Sequence, residues 1–187
     1  MKRLFVAISL SISDDNIECF NKMQECFSRD KIKWSAINNA HLTLKFFGNI
    51  RSTDIDGICE QLSKATTAIP PFVLEFGKIG IFGSRYNPRV IWMGFEKCEE
   101  LLLLEKNIHQ QLELIGFKND RQNFVPHFTL GRVNNIWDKK DFQKVLEEHR
   151  YLFSQKIEVG EIQLLESVLT AKGPIYNIVK SFELKGE

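Results

Sequence analysis

Two histidines and two threonines occupy matching positions in two short segments of this chain. His41 and Thr43 lie in the run Ala-His-Leu-Thr-Leu, and His127 and Thr129 lie in the run Pro-His-Phe-Thr-Leu. Imidazoles give and take protons near neutral pH, and threonine hydroxyls hydrogen-bond to anionic oxygens. Two such pairs suit an in-line displacement at phosphorus, with a base on one side of the phosphorus and an acid on the other.

The alternation of side chains along a strand explains why this spacing matters. In an extended segment His41 and Thr43 point to one face, while their apolar neighbours enter the core. The second pair follows the same rule. Each segment leads to an Asn-Ile pair and then to a helix start, so the two repeat units lie around residues 41–68 and 127–150. The duplication predicts two related lobes that place both His/Thr pairs across one groove.

The rest of the hydrophobic pattern alternates between strand and helix periods, which indicates an α+β fold. Strands are predicted over Leu4–Leu10, His41–Phe47, Phe72–Phe76, Lys78–Phe82, Arg89–Gly94, His127–Val133, Lys156–Glu166 and Ile175–Leu184. Helices are predicted to begin at Ser13 or Asp14, at Ser52 or Thr53, near Glu99, and at Asp138. An exposed turn is expected over Gly83–Pro88. No low-complexity linker divides the chain, so we expect a single bilobal domain over residues 1–187.

Composition and charge restrict the class of protein. The chain has 187 residues, of which 43% are hydrophobic and 26% charged, as in ordinary globular proteins. Its 25 basic and 24 acidic side chains leave a net charge of +1, whereas a protein that coats duplex nucleic acid is usually far more basic. A small or single-ended nucleic-acid substrate is compatible with this balance. No apolar run approaches the ~18 residues of a membrane span, so we expect a cytoplasmic protein without membrane association.

The sequence contains no pattern of a metal or nucleotide-cofactor site. The four cysteines form no C-x-x-C pair, and neither H-x3-5-H nor H-E-x-x-H occurs, so we expect reduced core thiols and no zinc. The glycine patterns of nucleophile elbows and phosphate loops are absent as well. His109 and His149 lie in predicted helices among polar residues, where a structural or solvated role is expected.

Several further segments, together with the paired histidine strands, resemble one known family. They are the opening Arg3–Ile8, Trp34 leading into His41–Gly48, the central Arg89–Trp92, Phe124–Arg132, and Ser167 with Gly173–Tyr176. The chain resembles the 2H phosphoesterase superfamily, specifically its RNA 2′,3′-cyclic phosphodiesterase branch, also called 2′-5′ RNA ligase. The resemblance covers nearly the whole chain.

The resemblance implies a two-lobed α+β fold, with pseudo-symmetric lobes of antiparallel sheet, outer helices and a central phosphate-binding groove. It also implies hydrolysis of RNA 2′,3′-cyclic phosphate ends to 2′-phosphates, without a cofactor or metal. His127 would be the general base and His41 the general acid. Thr43, Thr129 and Arg132 would bind the phosphate oxygens. We expect a monomer that acts on RNA with a 2′,3′-cyclic phosphate end or on a small cyclic nucleotide.

Three other functions are consistent with parts of this pattern. The first is a 2H phosphodiesterase that acts on another substrate, such as an ADP-ribose cyclic phosphate or a 2′-5′-linked nucleotide. The second is a non-catalytic module that binds RNA ends, and the third is a structural interaction protein. Aromatic and basic residues are further candidates for contacts with the terminal base or flanking phosphates, namely Phe47, Phe82, Arg85, Arg121 and Tyr176.

Overall fold

The computed structural model describes residues 1–118, 123–171 and 173–186. These residues form nine β-strands and four α-helices. The strands are β1 (Lys2–Ser9), β2 (Lys31–Trp34), β3 (His41–Ile50), β4 (Phe72–Ser84), β5 (Asn87–Phe95), β6 (His127–Asn135), β7 (Lys156–Val159), β8 (Glu161–Thr170) and β9 (Gly173–Glu183). The helices are α1 (Asp14–Cys26), α2 (Ile55–Thr67), α3 (Glu99–Glu113) and α4 (Lys139–Glu148).

The strands form two antiparallel sheets, and each sheet contains one of the two histidine strands. The four-stranded sheet has the order β3-β1-β8-β9, and the five-stranded sheet has the order β2-β6-β5-β4-β7. One apolar core cluster takes side chains from both sheets and all four helices. A separate small cluster of Phe5, Ala7 and Leu165 lies on β1 and β8. The α+β prediction is therefore confirmed. None of the helices among the described residues is long and apolar enough to cross a membrane.

Side-chain caps explain two of the predicted helix starts, and the start of a third helix differs from the prediction. The Ser13 side chain accepts a hydrogen bond from the backbone of Asn16, and Asp138 accepts from the two backbone amides that follow Lys139. The predicted cap at Ser52 or Thr53 is wrong, because a 3₁₀ turn over 52–54 precedes α2.

The strands differ from the prediction at several places: β2 was not predicted, and β3 and β8 extend further than expected. The two strands predicted over Phe72–Phe76 and Lys78–Phe82 are one strand, β4. Its pairing with β5 is irregular between Phe76 and Ile79. The predicted turn over Gly83–Pro88 is shorter, because Ser84 already pairs with Asn87. The strand predicted over 156–166 divides at Gly160, where the chain passes from the five-stranded to the four-stranded sheet.

The four cysteines are free, and the burial of one of them differs from the expectation of core thiols. Cys59 is buried in the core and the half-buried Cys19 and Cys98 pack against it, so only the exposed Cys26 departs from the expectation. Cys26 lies at the end of α1, where its Sγ is 3.8 Å from His149 Nε2.

Candidate active site

The structure places each histidine at the first residue of its strand and each threonine two residues further on. His41 opens β3 and His127 opens β6. All four polar side chains, those of Thr43 and Thr129 included, are half-buried, whereas the alternating apolar residues are fully buried in the core. Neither threonine hydroxyl is hydrogen-bonded to another described residue.

Both histidine strands contain an irregularity at the equivalent position, directly after the threonine. In the pairing of β3 with β1 the register passes from Thr43 to Lys45, and in the pairing of β6 with β5 it passes from Thr129 to Gly131. One extra residue is therefore inserted in each strand, as in a β-bulge. Two consecutive buried residues follow in both strands, so the duplication extends beyond the sequence motif to the backbone.

Each imidazole makes the same hydrogen bond to the backbone two residues earlier. His41 Nδ1 is 2.6 Å from the carbonyl oxygen of Asn39, and His127 Nδ1 is 2.7 Å from that of Val125. A carbonyl oxygen only accepts, so Nδ1 donates in both cases and carries the hydrogen of the neutral ring. Nε2 is consequently the nitrogen that gains and loses a proton in both histidines.

Aromatic rings surround His41. Its ring centroid lies 5.1 Å from that of Phe5 and 5.1 Å from that of Tyr176, which is oriented edge-on. Burial among these rings lowers the pKa of His41 from its usual value, although the bond to the Asn39 carbonyl partly opposes this. The charge of His127 lowers the pKa of His41 further, so the two imidazoles interact electrostatically across the two sheets.

His127 has a corresponding environment in the other sheet. Its ring lies edge-on to Phe82, with centroids 4.8 Å apart, and 6.4 Å from the ring of Trp92. Burial lowers the pKa of His127, the carbonyl of Val125 partly opposes this, and the cation of Arg132 lowers the pKa further. Arg132 thus favours the neutral form of His127.

Arg132 is exposed, yet its charge is felt on both sides of the groove. Burial raises the pKa of Tyr176, while the cations of Arg132 and Arg3 oppose that rise. Arg132 lies in the five-stranded sheet, whereas Arg3 and Tyr176 lie in the four-stranded sheet. The guanidinium of Arg132 therefore acts on His127 and on the tyrosine hydroxyl opposite.

A cavity of about 720 Å³ contains part of this constellation. Thr43 and His127 line it together with Phe82 and residues of α3, whereas His41 and Thr129 do not. His109, expected to be structural or solvated, also lines it. Its Nε2 is 3.1 Å from the Glu105 carboxylate one helical turn earlier.

Only some of the aromatic and basic residues predicted to contact the terminal base or flanking phosphates lie at the groove. Phe82 and Tyr176 touch the histidines, as described. Phe47 is half-buried, packs edge-on against Phe117 at 5.2 Å and lies against the core, and Arg85 is exposed at the β4–β5 turn. Arg121 lies outside the described residues.

The sequence analysis did not predict several of the residues that surround the site. Phe5 and Trp92 flank the imidazoles, but one aromatic residue among fifteen phenylalanines or three tryptophans carries no distinguishing signal. Lys45 carried a signal that could have been used, because it is a cation within an apolar strand. It is buried, lines the cavity, and donates to the carbonyl of Lys118 at 3.0 Å.

A two-sheet α+β fold with one histidine strand in each sheet defines the class of 2H phosphoesterases. The model of the 2′-5′ RNA ligase superfamily matches residues 20–170. The chain is 33% identical over 181 residues to an RNA 2′,3′-cyclic phosphodiesterase of Methanocaldococcus jannaschii, covering 96% of this chain and 99% of the relative. A relative of the same name from Archaeoglobus fulgidus is 32% identical, with 97% and 99% covered. The chain belongs to the 2′-5′ RNA ligase superfamily.

Solved structures share this fold over nearly their whole length. A protein of Thermus thermophilus matches with a TM-score of 0.76 at 24% identity, and 99% of both chains is covered. Escherichia coli LigT, solved in complex with 3′-AMP, matches with a TM-score of 0.71 at 21% identity, and 98% of both chains is covered. The predicted two-lobed fold is confirmed, and the curated relatives confirm the expectation of a phosphodiesterase enzyme.

Proposed function

We propose that this protein hydrolyses the 2′,3′-cyclic phosphate end of RNA to a 2′-phosphate and a free 3′-hydroxyl. The observation that carries the proposal is the duplicated imidazole geometry. His41 and His127 each use Nδ1 to bind a backbone carbonyl and keep Nε2 for proton exchange. The substrate is taken from the matching relatives, which are named RNA 2′,3′-cyclic phosphodiesterases.

In this mechanism the two imidazoles act on opposite sides of the phosphorus. Neutral His127 takes a proton from water as the water oxygen forms a bond to phosphorus. The bond from phosphorus to the 3′ oxygen breaks, and protonated His41 gives its proton to that oxygen. The charge of Arg132 supports this direction, because it disfavours protonation of His127 and so keeps the base neutral.

Charge on the phosphate oxygens is stabilised by three side chains in this proposal. The hydroxyls of Thr43 and Thr129 donate hydrogen bonds to the non-bridging oxygens, and they are available because no described residue occupies them. The guanidinium of Arg132 adds positive charge as the five-coordinate state develops. None of these steps calls for a metal ion.

The same groove would also join RNA ends, which is the reverse of cleaving a 2′-5′ linkage. A 5′-hydroxyl that attacks in place of water would join a cyclic phosphate end through a 2′-5′ linkage as the bond to the 3′ oxygen breaks, and the family's description names 2′-5′ RNA ligases. Water is far more concentrated than any RNA end, so hydrolysis is favoured over ligation. A 2′-5′-linked dinucleotide and an ADP-ribose cyclic phosphate are the alternative substrates to compare.

The test is a comparison of these substrates with purified protein in excess EDTA. We expect hydrolysis of a short oligoribonucleotide that ends in a 2′,3′-cyclic phosphate to be faster than that of either alternative. Faster cleavage of the 2′-5′-linked dinucleotide or of the ADP-ribose compound would transfer the assignment to that substrate. Activity that disappears on chelation and returns with zinc or manganese would contradict the metal-free mechanism.

A further inference from the structure

Strand β2 places a second cation beside Arg132. Lys33 is directly opposite Arg132 in the antiparallel pairing of β2 with β6. The neighbours of Lys33 on β2, Ile32 and Trp34, pack against the core, so Lys33 points to the other face. That is also the face on which Arg132 lies, since Gly131 is buried and Arg132 is exposed.

Two like charges at directly opposed positions of an antiparallel pair destabilise a sheet. Neither Lys33 nor Arg132 forms an ion pair with a carboxylate among the described residues. The chain has 24 acidic side chains and a net charge of only +1, so this local excess of positive charge is not a general property of its surface. An anion bound between the two cations would offset their repulsion.

The distance of Lys33 from the catalytic groove indicates which anion lies between Lys33 and Arg132. Thr129 is opposite Trp92 on β5 and Arg132 is opposite Val90, so the extra residue after Thr129 leaves the two about 7 Å apart along the strand. Lys33 lies one strand spacing, about 4.8 Å, further to the side. A phosphate held at the reacting position by Thr129 is therefore not the phosphate nearest to Lys33. Arg132 lies between the two positions, and its charge already acts on His127.

We propose that Lys33, together with Arg132, binds the internal phosphodiester that precedes the cyclic phosphate end of an oligoribonucleotide. The inference rests on the proposed function, which supplies the RNA end in the groove. A mononucleotide 2′,3′-cyclic phosphate lacks this internal phosphodiester and makes no use of Lys33. The site therefore makes the enzyme selective for RNA chains over cyclic mononucleotides.

The test compares Lys33→Gln with the wild type on two substrates. One is 2′,3′-cyclic AMP, and the other is a diadenosine dinucleotide with one internal phosphodiester and a 2′,3′-cyclic phosphate end. We expect kcat/KM for the dinucleotide to fall about fivefold, the effect of one exposed ion pair, while kcat/KM for cyclic AMP stays unchanged. The salt dependence of the dinucleotide reaction should weaken, with a slope smaller by about 0.7. Lys33→Arg should retain the selectivity.

Lys156→Gln is the matched control. Lys156 is an exposed lysine on β7, at the opposite edge of the same sheet, and its loss changes the net charge equally. Equal loss on both substrates in Lys33→Gln, or the same loss in Lys156→Gln, would overturn the proposal. Recovery of the dinucleotide rate of Lys33→Gln on addition of inorganic phosphate would overturn it as well.

A binding measurement separates this proposal from the proposed function. Wild-type protein that hydrolyses neither substrate would refute the proposed function. Fluorescence anisotropy with a labelled dinucleotide 2′-phosphate would still test Lys33, because it requires no turnover. We expect about fivefold weaker binding for Lys33→Gln than for the wild type. Equal binding by the two proteins would overturn the phosphodiester site.

Discussion

Removal of either imidazole tests whether the two histidines act as one acid–base unit. We expect His41→Ala and His127→Ala each to lower kcat for a cyclic-phosphate oligonucleotide by about 10²–10⁴-fold, the usual contribution of a positioned acid or base. The double variant His41→Ala/His127→Ala should be little slower than either single variant, because groups that act in one step are not additive.

The structure also gives the expected cost to stability. Each imidazole contributes one hydrogen bond to a backbone carbonyl, which is worth about 1 kcal/mol, and edge-on aromatic contacts worth about 0.5–1.5 kcal/mol. Each single variant should therefore lose about 1–3 kcal/mol of unfolding free energy, which a typical domain tolerates. Urea unfolding of each variant, next to kcat, separates lost chemistry from lost fold.

His149→Ala is the matched control for both measurements. The His149 ring makes the same kind of bond, from Nδ1 to the carbonyl of Val145 at 2.8 Å, but lies at the end of α4 outside the groove. We expect its kcat to equal that of the wild type. A folded His41→Ala or His127→Ala protein with near wild-type turnover would refute the two-histidine mechanism, and the repeat would then serve packing alone.

Three further measurements test the pH dependence, the role of Arg132 and the packing at Gly131. Because burial lowers the pKa of both imidazoles, both limbs of the bell-shaped dependence of kcat/KM on pH should lie below about 6.5, and limbs above that value would contradict the buried environment. Arg132→Ala should lower kcat/KM and move the acid limb to higher pH, because it removes a cation that lowers the pKa of the base. Arg132→Lys should restore only part of the rate, since an ammonium lacks the bidentate fork, and unchanged kinetics in the alanine variant would assign Arg132 to the solvated surface. Gly131→Ala should destabilise the fold by about 1–3 kcal/mol in urea unfolding, because the added Cβ would lie 2.8 Å from side-chain atoms of Ile32 and Trp34. The control Gly57→Ala has open space around it and should be neutral or stabilising, and equal losses in the two variants would contradict the packing argument.

The sequence predicted the two histidine strands because the signal is doubled and local. Alternation along a strand determines which side chains share a face, so the half-buried histidines and the buried Leu42 and Phe128 follow directly from residue types. The helix caps at Ser13 and Asp138 were predictable for the same reason, because a cap depends on side chains and amides a few residues apart.

Features that depend on pairing between distant strands were not predictable. Strand β2 has four residues and too few alternations to be recognised, yet its register places Lys33 opposite Arg132. The extra residue after each threonine is defined only by the partner strands β1 and β5. The change of sheet at Gly160 is equally non-local, because the break in alternation at Gly160 and Glu161 does not show which sheet each segment joins.

The position of the product phosphate shows which phosphorus–oxygen bond the enzyme breaks. Wild-type protein is incubated in excess EDTA and ¹⁸O-labelled water with an oligoribonucleotide that ends in a 2′,3′-cyclic phosphate, and the product is examined by ³¹P NMR and mass spectrometry. With His127 as base and His41 protonating the 3′ oxygen, the product is a 2′-phosphomonoester that carries one ¹⁸O atom and a free 3′-hydroxyl. A 3′-phosphate, or an equal mixture of the 2′- and 3′-phosphates, would contradict the departure of the 3′ oxygen.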